Sequence, residues 1–493
     1  MQVNLSTLDW CVIAVYLGGI LALGLRVSRG VTDSKKFFVA DRAFGKTIMI
    51  AQALGTGTHS DQAVGVAGAA YTGGFSGIWY QWMWLFTTPF YWILAPIFRR
   101  LRVVTTADFF ELRYGRPYAV MYAVFCLYLL ALWQGIAIKG TSETVSAITG
   151  LPEWSISVTV AIIFTIYGVA GGLVAAAVTD FVQGILIVVL SFLVLPFGLP
   201  RVGGLAGLHH ALGPGYFTIF SSAGGELSPF NVTMLVITGL AGIVAQPHMV
   251  AVASTGKTEW NCRIGWTYGN FVKRLCTVGW TLTGVLAAVM FPGLAFAQRE
   301  KAFGMVVSAV LPSGLIGLMT ASLMATVMAT CSAFMIDAAA LFTENIYRPL
   351  VAPHKQDRHY LKAARASSVM VTIAGFACAT TMPSVVAATV HFISILPFIG
   401  VSFWVGIIWP RANRYGAWIS TIGSAIVFFG MKQQGFSNAW ASLASLLVGI
   451  AGIIAGSYIG APESSARMNR IFNYLHMPAG EGDQPPEDHH EYA

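Results

Sequence analysis

Charged residues are scarce in this sequence. They make up 10% of its 493 residues, while 56% are hydrophobic; a soluble globular chain has roughly 25% charged residues. A fold in water would need far more polar surface to cover this amount of apolar material. Because lipid as the outer solvent removes that requirement, the composition predicts an all-α polytopic protein of the cell (inner) membrane.

Cysteine is rare, and patterns that carry covalent chemistry are missing. The six cysteines are scattered through or beside apolar runs and have no metal-ligand spacing. The sequence has no H-E-x-x-H motif and no nucleophile–base pair, which argues against an intramembrane enzyme. It has no selectivity-filter repeat, which argues against a channel. These absences leave solute transport without covalent chemistry as the favoured class, with enzyme and channel as alternatives.

Long apolar runs define a topology. Runs of about 20 residues predict membrane spans. Thirteen are found, at 7–27, 46–71, 76–98, 118–149, 154–170, 178–199, 231–253, 265–292, 309–345, 360–381, 383–409, 415–431 and 439–459. With the amino terminus outside and the carboxyl terminus inside, inner loops and membrane edges carry 24 Lys and Arg residues and outer loops carry 4. The inner count includes Lys273 and Arg274, and Lys139 alone is placed within a span. The positive-inside rule predicts this orientation.

Two predicted spans contain helix-breaking sequences near their centres. Residues 53–62 read ALGTGTHSDQ, with two glycines before a polar run, and residues 239–248 read GLAGIVAQPH. Pro247 removes a backbone donor and clashes with the preceding turn. Each break falls in the first long span of a five-span set, 46–199 and 231–409. This pairing predicts a five-plus-five inverted repeat with its binding site at the breaks, although glycine and proline also serve close helix packing.

The predicted organisation follows from these sets. An extra helix and basic inner loop at 1–45 precede the first repeat at 46–199. An outer loop at 200–230 leads to the second repeat at 231–410. Two carboxyl-terminal helices with a basic segment at 411–477 and a disordered tail at 478–493 complete the predicted organisation.

Four motifs in chain order resemble the sodium/solute symporter family, which includes sodium/glucose and sodium/proline symporters. They are ADFFELRYG at 107–115, GGL followed by TD and Gln at 171–183, LFTENIY at 341–347 and WPRANRYGA at 409–417. The resemblance covers essentially all thirteen spans. It implies the LeuT-like fold and sodium-coupled uptake of a small polar solute by alternating access. Na⁺ would be the co-transported ion, with no organic cofactor and no nucleic acid, in a protein that works as a monomer in the bilayer.

The resemblance also implies ion ligands. Matched without gaps, the family's principal sodium site falls on the carbonyls of Gly55 and Thr58 and on Thr326, Ala329 and Thr330. Ala329 stands where a hydroxyl is usual, so this match lacks one ligand.

A second ion site would use Asp180 and Ser332, although alanines replace its other ligands. The weakened sodium site leaves proton coupling through Asp61, Asp180 or His248 as an alternative.

Polar side chains near the breaks are the solute candidates. HSDQ at 59–62 and YQWM at 80–83 resemble polar clusters of the sugar-transporting branch, and amides suit hydroxyl-rich or zwitterionic solutes. The solute candidates are His59, Asp61, Gln62, Gln81, Lys139, Gln246 and His248. For Lys139, two interpretations stay open: an ion pair with Asp61 or Asp337, or a contact with a solute carboxylate.

Overall fold

The computed structural model describes residues 5–29, 44–221 and 225–480, and this part of the chain is helical with no β-strand. One isolated bridge joins Phe44 to Gly256 and ties the start of the second helix to a later loop. The helices are α1 (Thr7–Ser28), α2 (Lys46–Gly57), α3 (Ser60–Gly73), α4 (Trp79–Trp82), α5 (Tyr91–Leu101), α6 (Thr106–Tyr114), α7 (Arg116–Thr149), α8 (Glu153–Gly198), α9 (Gly204–Leu212), α10 (Pro229–Gly242), α11 (His248–Ala253), α12 (Glu259–Met290), α13 (Ala302–Val310), α14 (Leu315–Phe342), α15 (Arg348–Leu350), α16 (Asp357–Thr381), α17 (Val385–Ile395), α18 (Pro397–Ile408), α19 (Arg414–Gln433), α20 (Asn438–Ile459) and α21 (Ser465–His476).

Eight helical segments of the described chain are long and apolar enough to cross a membrane. They are Thr7–Ser28, Arg116–Thr149, Gly172–Val202, Glu259–Met290, Leu315–Leu350, Asp357–Thr381, Val385–Ile408 and Asn438–Ile459. Their outer faces expose large apolar side chains, including Val15, Ile373 and Ile459. Such a surface suits lipid and not water. The predicted all-helical membrane fold is confirmed at this level, while thirteen spans and the sides of the termini stay predictions.

Gly172 divides α8 into two helices. Its φ of 55° and ψ of −153° are not helical, and only glycine adopts this backbone without a steric cost. The sequence-predicted spans 154–170 and 178–199 therefore correspond to the two halves of one helical element. This turn explains why the second residue of the GGL motif is glycine.

Asp9 joins α1 to the start of α14. Its side chain completes a capping box with Ser6 at the amino end of α1. The same carboxylate accepts hydrogen bonds from the backbone N–H groups of Gly314 and Gly317, at 2.7 and 2.8 Å. A buried charge is thus satisfied by the first turn of α14, which fixes one end of that helix.

Three of the four family motifs meet in one buried joint. The Arg113 guanidinium donates to the carbonyls of Gly406 and Trp409, at 2.9 and 3.0 Å. The Asn345 amide donates to Asp108 at 2.6 Å, beside a five-residue π-helix, Thr343–Tyr347. These bonds tie α6 to the ends of α14 and α18. The motifs therefore hold helix ends together.

Two predicted segments lie mainly outside the described residues. They are the basic stretch at 30–43, and residues 481–493 of the tail expected to be disordered.

Candidate solute and sodium site

The first break lies where α2 ends. The backbone at Thr58 and His59 is extended, with φ near −120° at both, and α3 begins at Ser60. The Gln62 side-chain amide donates to the Gly57 carbonyl at 3.2 Å, which satisfies one carbonyl that the lost helical turn leaves open. The break predicted from the glycines and the polar run is present.

The second break follows α10. One turn of 3₁₀-helix, Ile243–Ala245, leads to an extended Gln246, and α11 begins at His248. Since Pro247 has no N–H, the helix cannot continue regularly through it. The Tyr122 hydroxyl donates to the exposed carbonyl of Ala245 at 3.1 Å.

The two breaks face one central cavity. Its volume is about 60 Å³, which is smaller than the range usual for small-molecule sites. Six of the seven predicted solute residues line it: His59, Asp61, Gln62, Gln81, Gln246 and His248. Gln62 Oε1 and His248 Nδ1 are buried and have no hydrogen-bond partner among the described residues. Because such atoms are costly to bury unpaired, they are available to a ligand.

An aromatic wall, formed by Trp133 with Phe334 and Phe392, closes one side of the cavity. The Trp133 ring centroid lies 4.7 Å from that of Phe334 and 4.4 Å from that of Phe392. The same indole contacts His59 and His248, at 5.4 and 5.3 Å between centroids. One tryptophan of α7 therefore contacts both breaks. The sequence does not single out Trp133, because an aromatic residue within an apolar span has no signal of its own.

Two cations at the cavity were missed from sequence. Lys273 and Arg274 lie midway along α12, are 6% and 5% exposed, and line the cavity. Counting them with the inner loops and edges was wrong, and so was the statement that Lys139 alone lies within a span. Their positions inside the apolar run 265–292 were the available signal, since a charge within a span marks a functional or paired group.

Lys139 takes a different place from the one expected. Its Nζ lies 3.2 Å from Oε1 of Glu143, one helical turn away on α7. The expected pair with Asp61 or Asp337 is therefore wrong, because a carboxylate four residues along the same helix is the nearer partner. Lys139 does not line the central cavity.

Asp61 packs close to α7 but forms no ion pair with Lys139, whose Nζ lies beside Glu143. A Cβ placed on Gly140 would lie 2.8 Å from the Asp61 Cβ. The Asp61 carboxylate instead has Nδ1 of His59 at 3.4 Å.

The predicted sodium residues fall into two groups. Thr58 and Thr326 line one small cavity together with Ser60 and Ser191. Gly55 lies against α8, where a Cβ would come within 2.6 Å of the Asp180 Cβ. The first break is therefore pressed against both α8 and α14, the two helices that carry the remaining predicted ion ligands.

On α14 the predicted ligands differ in what their side chains already bind. The Thr330 hydroxyl is fully buried and has no partner in the described structure. The hydroxyls of Thr326 and Ser332 each donate to a carbonyl of their own helix at 2.8 Å, to Leu323 and Ala329 respectively. Oxygens that donate in this way can still accept or coordinate. Ala329 offers only its carbonyl.

The two residues of the predicted second ion site each pack against a glycine of a neighbouring helix. Asp180 packs on Gly55, whereas a Cβ on Gly168 would lie 3.2 Å from the Ser332 Cβ. Asp180 with Ser332 stays a prediction.

The geometry is that of a membrane carrier with a central site at paired helix breaks. The sodium:solute symporter family matches residues 37–423. This chain belongs to the sodium:solute symporter family, whose members are transporters and not enzymes. It is a multi-pass membrane protein.

Several relatives are similar along most of their length. The sodium/glucose cotransporter of Vibrio parahaemolyticus is 22% identical over 465 residues, covering 85% of this chain and 84% of the relative. The sodium/pantothenate symporter of Haemophilus influenzae is 23% identical, with 86% and 90% covered. The osmoregulated proline transporter of Bacillus subtilis is 24% identical, with 84% and 87% covered. Their names give three solute classes.

Solved structures share the fold. A substrate-bound, outward-open Na⁺-coupled sialic acid symporter superimposes with a TM-score of 0.77 at 17% identity, covering 93% of this chain and 99% of the other. The transporter MhsT in complex with L-phenylalanine gives 0.56 at 14% identity, with 85% and 98% covered. The LeuT-like architecture expected from the motifs is confirmed by these neighbours.

Proposed function

We propose that this protein is a sodium-coupled symporter that imports a small polar organic solute, with a leaning to sugar-like molecules, by alternating access. The observation that carries the proposal is the meeting of two helix breaks at one cavity lined by amides, with buried polar atoms left unpaired. Broken helices expose carbonyls and half-helix ends, which suit an ion and a polar solute in the absence of water.

The sodium ion would bind between the first break and α14. Carbonyls at Gly55 and Thr58 and the hydroxyls of Thr326 and Thr330 are neutral oxygens, which can replace the hydration shell of a hard cation. The unpaired, fully buried hydroxyl of Thr330 supports this assignment. Since sodium would bridge α2 to α14 in one arrangement, it would favour that arrangement by its difference in affinity between the two states.

The finer architecture belongs to the same proposal. We infer thirteen spans, two inverted repeats at 46–199 and 231–410, an outer amino terminus and an inner carboxyl terminus, and function as a monomer. The bias of 24 inner against 4 outer basic residues supports the orientation. Moving Lys273 and Arg274 out of the inner count leaves that bias strong.

A thermal-shift panel tests coupling and solute together. Detergent-purified protein would be heated in NaCl or in choline chloride at one pH, with sugars, amino acids and carboxylates added separately. A ligand at about 100 times its dissociation constant stabilises the folded state by about 2.7 kcal/mol. We expect one solute class to stabilise the protein in NaCl and much less in choline chloride.

Proton coupling is the second candidate, because Ala329 removes one sodium ligand. Solute stabilisation that is equal in both salts, with uptake driven by a pH gradient alone, would replace the sodium proposal with this one.

A further inference from the structure

Lys273 lies in the central cavity, where the Asp61 carboxylate attracts it without forming a direct ion pair. The residue is 6% exposed, and its ammonium makes no hydrogen bond or ion pair with any described residue. It sits at the first break: a Cβ on Gly57 would lie 3.6 Å from its Nζ. An ammonium buried in this way is costly unless an anion reaches it.

Arg274 is only partly satisfied. Its Nη1 donates to the side-chain and backbone oxygens of Gln81, at 3.2 and 3.4 Å, and its Nε is buried with no partner among the described residues. A neutral amide oxygen leaves the positive charge of the guanidinium uncompensated. Arginine side chains in this state are suited to bidentate binding of a carboxylate.

The charges around the cavity do not balance. Of the described residues that line it, Asp61 is the one carboxylate, against the two cations Lys273 and Arg274. Asp61 already has Nδ1 of His59 at 3.4 Å. With neutral histidines the lining carries a net charge of +1.

Other cations and carboxylates do not correct this excess. Lys139 is paired with Glu143 away from the cavity. Asp180 lies against Gly55 on the far side of the first break, where the sodium ion is proposed to bind. If the charge of the sodium ion and the charge of the Asp180 carboxylate neutralise each other, the lining of the central cavity still has an excess of one positive charge, which a solute anion can neutralise.

The remaining polar groups indicate the rest of the solute. Trp266 on α12 lines the same cavity, with its indole ring packed edge-on against Tyr91. At the two breaks, the Gln62 Oε1 and His248 Nδ1 atoms have no hydrogen-bond partner among the described residues. The cavity therefore combines positive charge with groups that can accept hydrogen bonds.

We propose that the solute is a small organic anion, with one carboxylate bound by Lys273 and Arg274 and with hydroxyl or amide donors directed at Gln62 and His248. The proposal rests on the proposed function, because it specifies the solute class for the same cavity. It narrows the leaning to sugar-like molecules to a carboxylated polyol or hydroxy acid.

The test compares matched neutral and anionic probes on the full-length protein. Thermal shifts would be measured with D-glucose against D-glucuronate, panthenol against pantothenate, and lactamide against lactate, at equal total sodium and ionic strength. We expect the anionic member of at least one pair to raise the melting temperature, and its neutral partner to raise it much less. Neutral members that stabilise as well as the anions, or no stabilisation by any anion, would overturn the proposal.

Variants locate the effect. Arg274→Gln and Lys273→Gln are expected to weaken binding of the stabilising anion by tenfold or more, and Arg274→Lys to recover part of the loss. Lys432→Gln, which removes an exposed lysine at the end of α19, is the matched control and should bind as the wild type does. Unchanged anion affinity in folded Arg274→Gln and Lys273→Gln would contradict the assignment.

A choline chloride arm separates the two proposals. Anion binding that is equal in both salts would end sodium coupling and leave the anion assignment standing. Sodium-dependent binding of a neutral probe, with no binding of any anion, would end the anion assignment and leave sodium coupling standing.

Discussion

Gly55→Ala tests the position of the proposed sodium site. The added methyl group would lie 2.6 Å from the Asp180 Cβ, 2.9 Å from its Cγ and 3.1 Å from its Cα. Carbon atoms pack at about 3.5–4.0 Å, so α2 and α8 must separate by about 1 Å. Overpacking of this kind costs about 1–3 kcal/mol. If the separation moves the Gly55 carbonyl away from the ion, that energy corresponds to a loss of about 5–150-fold in sodium affinity.

The assay is the concentration of NaCl that gives half of the maximal thermal stabilisation, with choline chloride keeping the ionic strength constant. Gly19→Ala is the matched control, because it adds the same methyl group within α1 where nothing lies within 4 Å. Both changes improve helix propensity by about 1 kcal/mol, so the difference between them reports the contact with Asp180. Equal half-saturating sodium in the two variants would refute the placement of the ion at Gly55.

Three further predictions follow from single contacts. Thr330→Val keeps the shape of a side chain whose hydroxyl has no described partner, so we expect normal folding. The half-saturating NaCl concentration should rise about tenfold, which corresponds to about 1.4 kcal/mol of binding free energy. An unchanged concentration would remove Thr330 from the sodium site. Lys139→Met breaks the pair with Glu143 and leaves a buried carboxylate without its cation. We expect the free energy of unfolding to fall by on the order of 2 kcal/mol, with the solute KM unchanged. Normal stability with lost transport would instead make Lys139 a solute contact. Arg113→Lys loses the forked donation to backbone carbonyls, so we expect the free energy of unfolding to fall by about 2 kcal/mol, measured as a lower melting temperature. Sodium half-saturation should be unaltered, and a shift in sodium affinity would contradict a purely structural role.

The helix breaks were predictable because their causes are local. Pro247 cannot donate to the preceding turn, and the glycines and polar residues from Gly55 onward weaken any regular helix. The glycine pair that ends at Gly172 likewise separated two apolar runs. Local backbone chemistry of this kind can be read from the sequence without knowing which helices are neighbours.

The charges at the site were harder to predict because their roles depend on packing. Lys273 and Arg274 lie inside the apolar run 265–292, but the run alone does not show that α12 places them at the cavity. Lys139 was matched with distant carboxylates, although Glu143 stood one turn away on its own helix. The residues that surround a buried charge are set by tertiary structure, and sequence patterns record only its distance from the ends of the apolar run.

The most direct test of sodium coupling is solute accumulation in proteoliposomes, using the solute that stabilises the protein in NaCl. The membrane potential would be clamped at zero and the pH held equal on both sides, with sodium either imposed as an inward gradient or equalised. The account predicts transient accumulation above equilibrium with the sodium gradient, and equilibration alone without it. Accumulation driven by an inward proton gradient in choline chloride, with no response to sodium, would contradict it.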